Sequence, residues 1–231
     1  MAACHLISFR SWSKLQANSG RYCSLDLQPN FSTYIMFLDV YRLWIRLRGK
    51  VFTQLGRSGF HEFGARSVLL PPVRLGGERN VAIGKQVFVG PNSWIEVMQH
   101  GSTGQTPVIT IGNGTAIVGF CTITAVQQVV IEEKVLIARY AYISDHTHAY
   151  SARDKAILDQ GIAKLSPVRI CAGAWLGQNV VVCPGVTIGR NAVIGANSVV
   201  RHDVPDFCVA AGSPAQVIRR VEKSMERRSA E

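Results

Sequence analysis

Residues 167–205 read Pro-Val-Arg-Ile-Cys-Ala-Gly-Ala-Trp-Leu-Gly-Gln-Asn-Val-Val-Val-Cys-Pro-Gly-Val-Thr-Ile-Gly-Arg-Asn-Ala-Val-Ile-Gly-Ala-Asn-Ser-Val-Val-Arg-His-Asp-Val-Pro. One aliphatic side chain recurs at every sixth position: Ile170, Leu176, Val182, Ile188, Ile194 and Val200. A small residue usually follows it, as at Cys171, Gly177, Cys183, Gly189 and Gly195. A globular sandwich would alternate with period two between irregular turns. A sustained period of six instead indicates a repeat solenoid.

The same phase recurs upstream in three trios: Ile83, Val89 and Ile95; Ile111, Ile117 and Ile123; Ile131, Ile137 and Ile143. Interruptions fall at 99–108, 125–130 and 149–167, where inserted loops would leave the coils. The physical reading is a three-sided coil of about eighteen residues, with one short strand per side and a turn at each corner. The aliphatic residue points inward and stacks on its equivalents in adjacent coils, because no coil can bury its apolar side alone. The residue after it turns the corner, where a small side chain avoids a clash.

Composition agrees with this reading and excludes several others. Of 231 residues, 47% are hydrophobic and 17% charged, which is incompatible with intrinsic disorder. No stretch reaches ~18 uninterrupted apolar residues, so no membrane-spanning helix is expected. Residues 1–33 lack the apolar run and small-residue cleavage site of a signal peptide. The six cysteines form no CxxC pair, and reduced thiols of a cytoplasmic protein are expected. The net charge of +10 favours anionic partners, but no basic stripe interleaves with aromatics, so no nucleic acid is expected.

The 167–205 run, followed by Ala210-Ala211-Gly212-Ser213-Pro214-Ala215-Gln216-Val217-Ile218-Arg219, closely resembles the hexapeptide-repeat acetyltransferases. Within them it is most similar to maltose and galactoside acetyltransferases and to bacterial polysaccharide O-acetyltransferases. The resemblance covers about residues 70–220. It implies an all-β fold, a left-handed parallel β-helix with an N-terminal helical segment and a short C-terminal helix, assembled as a homotrimer. The organisation expected is an N-terminal tail and amphipathic helix over 1–66, the β-helix over 67–206, and a closing loop and helix over 207–231.

Candidate chemistry begins where the third trio ends, at Ser144-Asp145-His146-Thr147-His148, just before the 149–167 loop. Acyl transfer from a thioester to a hydroxyl needs a base of near-neutral pKa, which imidazole supplies. The resemblance places His148 on the family's catalytic histidine. His146 is a second candidate, expected to face away from the cleft that His148 lines. Asp145 and Asp154 read as solvated loop charges, with orientation of an imidazole or an acceptor contact as the alternative. Only the 146/148 pair is close in sequence, so no metal is expected.

By resemblance the donor is acetyl-CoA, with Gly177 and Ala196 admitting the pantetheine arm and Gln178 beside the thioester. Arg201 and Arg219 match positions near the nucleotide phosphates, where a forked guanidinium suits phosphate oxygens. The acceptor expected is a small-molecule or lipid-linked saccharide of surface-polysaccharide assembly. Transfer to an amine or to serine, or a non-catalytic solenoid adapter, are the rival readings. Trp94 and Trp175 read as packing residues on the faces or between subunits rather than sugar platforms.

Tyr34 to Leu55 shows helical spacing of apolar residues, with Arg42, Arg46, Arg48 and Lys50 among aromatics. Two readings stand. The helix covers the open end of the solenoid, or it makes peripheral contact with a membrane through residues 34–55.

Overall fold

The aliphatics that set the period occupy strands of only two to four residues in the coils, each followed by a turn. The computed structural model describes residues 31–98 and 107–221. The chain divides into two compact units, residues 1–40 and 41–231. The described part of the first is the start of helix α1 (Phe31–Gly56); the rest of that helix belongs to the second. Among the described residues no helix is long and apolar enough to cross a membrane.

Three parallel sheets succeed one another in rotation along the chain. The first face stacks Glu62–Phe63, Val81–Ile83, Ile109–Ile111, Val129–Ile131, Val168–Ile170 and Thr187–Ile188. The second stacks Val68–Leu69, Phe88–Val89, Ala116–Ile117, Leu136–Ile137, Trp175–Leu176, Val193–Ile194 and Cys208–Gly212. The third stacks Arg74–Gly76, Trp94–Val97, Thr122–Ala125, Tyr142–Ser144, Val181–Val182 and Val199–Val200.

The expected inward ladders are realised. On the first face Ile83, Ile111, Ile131, Ile170 and Ile188 lie in register, one per coil, all wholly buried. Each removes an entire aliphatic side chain from water, stabilising the fold by roughly 1.5–3 kcal/mol. Corners need a left-handed residue, which asparagine adopts at little cost. Asn179, Asn191 and Asn197 supply it with φ of 59°, 50° and 61°, and Asn179 donates to Asn197 of the adjacent coil at 3.0 Å.

Several features differ from expectation. The coils start at Glu62–Phe63 and the second face continues through Gly212, so strands extend beyond 67–206 at both ends. No helix follows the last coil within the described residues. Ala215–Arg220 is a strand, antiparallel to Cys208–Gly212. The physical reason is the free edge of the second face: its unpaired backbone groups are satisfied by folding the chain back at Gly212, whose φ is 110°. Residues 222–231 lie outside those described, as do 1–30 and most of the 99–108 insertion.

The opposite edge is closed by α1. Thr53 is buried; its hydroxyl accepts the Leu69 N–H at 2.9 Å and donates to the Gly49 carbonyl at 2.7 Å. One side chain thus pairs the exposed edge of the first coil, as the end-cover reading requires.

Candidate active site

Tyr142–Ser144 is the last regular strand before the chain leaves the coil. Strand geometry then stops at a bend on Asp145. Residues two apart on a strand share a face, so alternation gives no reason for His146 to turn away from His148, and the expectation that it would is corrected here. Asp145 is wholly buried, not solvated. Its carboxylate accepts the backbone N–H groups of Val126 (3.0 Å), Gln127 (2.7 Å) and Gln128 (2.7 Å). These are the extra residues of the 125–130 interruption, so Asp145 fastens the irregular corner of the preceding coil.

The same carboxylate lies 2.8 Å from Nδ1 of His146. Since it is an acceptor toward three N–H groups, the imidazole donates from Nδ1, which leaves the Nε2 lone pair free. The Ser144 hydroxyl donates to the His146 carbonyl at 3.0 Å and accepts the His146 N–H at 3.3 Å, fixing the backbone that carries the ring. His146 is 8% exposed, and Nε2 has no hydrogen-bond partner among the described residues, yet it is not sealed from solvent. A buried carboxylate, an oriented imidazole and an open ring nitrogen together make a proton acceptor.

His148 lies two residues on, in the short strand Thr147–His148 that pairs antiparallel with Ile162–Ala163 of the returning loop. Its side chain is exposed and makes no hydrogen bond among the described residues. Asp154 is exposed on that loop. The loop is tied back by Gln160, which bonds Ala152 and Lys155, and it rejoins the coil where Ser166 N–H donates to the Asp145 carbonyl.

The other candidates lie elsewhere in the chain. Gly177 and Gln178 follow a second-face strand, as does Ala196 one coil later, so all three lie on the corner between second and third faces. The histidine segment and Arg201 leave third-face strands and lie on the corner between third and first faces. Arg219 is exposed on the closing hairpin. Within one chain the third face therefore separates the two groups.

Gly177 also has a structural reason: a Cβ there would lie 2.7 Å from the Ala196 nitrogen and 2.8 Å from the Ile194 oxygen. Gln178 and Ala196 are exposed beside it. Trp94 is half-buried, with the Arg74 guanidinium 4.1 Å from its ring centre, so its outer face is covered. Trp175 is exposed. Among the described residues no three His, Cys, Asp or Glu side chains are grouped to hold a metal ion.

Sequence reading held orientation of an imidazole by Asp145 only as the alternative, and it missed the burial of that carboxylate. The only signal was adjacency in Asp-His, and the partners that bury the carboxylate lie 17–19 residues upstream.

Residues 167–202 match the family described as bacterial transferase hexapeptide (six repeats). The chain is 36% identical over 146 residues to the galactoside O-acetyltransferase of Escherichia coli K12, covering 62% of this chain and 70% of that protein. It is 34% identical over 119 residues to the E. coli K12 protein named for lipopolysaccharide biosynthesis O-acetyl transfer, WbbJ, covering 49% of this chain and 61% of that one. The chain spans about half to three fifths of the length of the first curated relatives it matches. In fold it is similar to a point mutant of AntD, an N-acyltransferase from Bacillus cereus in complex with dTDP and coenzyme A. That likeness has a TM-score of 0.63 at 15% identity, over 74% of this chain and 88% of that one. The three-faced coil is accordingly a left-handed parallel β-helix, and the chain belongs to the hexapeptide-repeat acetyltransferase family.

Proposed function

We propose that this protein transfers acetyl from acetyl-CoA to a sugar hydroxyl, on a small-molecule or lipid-linked saccharide of surface-polysaccharide assembly. The observation that carries the reading is the oriented imidazole at the foot of the 149–167 loop, in a chain whose relatives are named as O-acetyltransferases.

Acetyl-CoA supplies the activated acyl group as a thioester. A histidine nitrogen takes the hydroxyl proton as the oxygen attacks, and returns it to the departing thiolate, so no covalent acyl-enzyme is needed. Family pattern assigns that proton transfer to His148. A specific observation favours His146 for the same step: it alone of the pair has a carboxylate on Nδ1 and an unpaired Nε2. Gly177, Gln178 and Ala196 would lie along the pantetheine, and Arg201 and Arg219 would meet the nucleotide phosphates.

The corner that carries the histidines and the corner that carries Gly177 and Ala196 lie on opposite edges of the third face. A site using both is built from two subunits, which supports a homotrimer. The second face supports it too: outward residues Phe88, Ala116, Leu136 and Trp175 lie in register on successive coils, and the three large ones are all exposed. A second copy of the same chain is the occupant we assign to that apolar ladder.

The test is release of free CoA thiol with a panel of sugars by wild type, His146→Ala and His148→Ala. Loss of ~10²–10⁴-fold is expected for the variant lacking the base, with acetyl-CoA binding nearly unchanged. Loss in His148→Ala alone assigns the base to His148; loss in His146→Ala alone assigns it to His146. Full activity in both overturns the histidine mechanism, and a stable, active monomer overturns the two-subunit site.

A further inference from the structure

From Tyr41 onward, α1 touches the coils along one narrow stripe. Gly49 and Thr53 are buried, and Ile45 and Phe52 half-buried, all on one side at 3.6 residues per turn. The opposite side is also apolar and has no cover among the described residues. Leu43, Trp44, Leu47, Val51 and Leu55 fall within a third of the helix circumference, and Leu47, Val51 and Leu55 are 58%, 51% and 78% exposed. A groove of about 500 Å³ runs along it, floored by Trp44, Leu47, Val51, Leu55 and Pro71 with Arg48 at its rim.

Charge borders this stripe on both sides. Arg46, Lys50 and Arg57 project along one flank. Arg48 lies on the other, its guanidinium 5.3 Å from the centre of the Trp44 ring. Between Tyr41 and His61 the chain has no acidic residue.

Charge decides the occupant. A second copy of α1 on this stripe would set Arg46, Arg48 and Lys50 against the same three cations, with Asp39 the one carboxylate that each helix carries. An anionic lipid surface meets every element: acyl chains for the apolar stripe, phosphates for the flanking cations, and a headgroup boundary for Trp44. We propose that α1 lies in the plane of an anionic membrane surface through Leu43, Trp44, Leu47, Val51 and Leu55, while its other side closes the first coil.

The experiment is co-sedimentation of the full chain with vesicles of neutral phosphatidylcholine, with and without one-third phosphatidylglycerol. Retention on the anionic vesicles, with a blue shift of tryptophan emission and weakening by salt, is expected. Leu47→Glu with Val51→Glu should lower the partition coefficient at least tenfold. Arg46→Gln and Lys50→Gln should each lower it roughly fivefold. An unchanged unfolding temperature confirms that these exposed positions do not disturb the fold. The proposal is overturned if wild type stays in the supernatant with anionic vesicles at low salt, or if the Leu47/Val51 variant partitions as wild type does. It is equally overturned if that variant loses oligomeric mass, since a second copy would then cover the stripe.

Discussion

Asp145 and His146 are neighbours in sequence, but what joins them is the preceding coil. The carboxylate meets the ring at 2.8 Å while being clamped by the N–H groups of Val126, Gln127 and Gln128. One buried charge therefore closes a corner and orients an imidazole at the same time. The two tasks share one group, so a change at Asp145 should be visible in stability, and in catalysis as well if His146 is the base.

Asp145→Asn keeps the shape but puts an NH2 where a carboxylate oxygen accepts. At least one of the N–H groups now bound to Asp145 then faces a donor, at about 1–3 kcal/mol for each buried group left unpaired. The urea midpoint should fall accordingly. Acetyl transfer, assayed where the variant is folded, should drop further if His146 is the base and stay near wild type if His148 is.

Ile137 stacks between Ile117 and Leu176 and is wholly buried. Ile137→Ala leaves a cavity between coils whose backbones are hydrogen-bonded on both sides and cannot close in. Destabilisation of roughly 2–5 kcal/mol is expected, measured by chemical unfolding of the assembled protein.

Gly177→Ala places a methyl against the backbone of the next coil, 2.7 Å from Ala196 N. Backbone held in a parallel sheet yields poorly, so a loss of about 1–3 kcal/mol is expected. Gly56→Ala is the matched control. Nothing lies within 4 Å of a Cβ there, and its unfolding temperature should not fall.

Acid should weaken the coil-to-coil ion pairs. Burial pushes the Glu132 carboxyl up, but the Ala172 N–H at 2.9 Å and the Arg169 guanidinium at 2.5 Å outweigh it and hold the group below its ordinary value. The Arg190 backbone N–H, then its side chain, hold Asp206 low in the same way. A carboxylate lowered in the folded state contributes stability above its unfolded value, and that contribution is lost as pH falls through the folded one. The unfolding temperature should be insensitive to these groups above about pH 4.5 and fall below it. Glu132→Gln should lower stability at neutral pH and flatten the acid slope.

The β-helix was readable from the chain alone because its core is one-dimensional. Ile170, Leu176 and Val182 each bury against the equivalent residue one coil away, so the spacing along the chain already states the contact. The helix over 34–55 was readable from its period for a similar reason. The closing strand was not. Ala215–Arg220 pairs because the edge of Cys208–Gly212 is free, and a free edge exists only once the coil is built. Nor could spacing reveal that Asp145 is buried, because its partners at 126–128 reach it by the pitch of the coil. The same holds for the two sides of α1, where Thr53 pairs Leu69 and Leu47 stays open. Local pattern determines what stacks on its own repeat; burial, pairing of irregular corners and exposure of a helix face depend on which coil lies above.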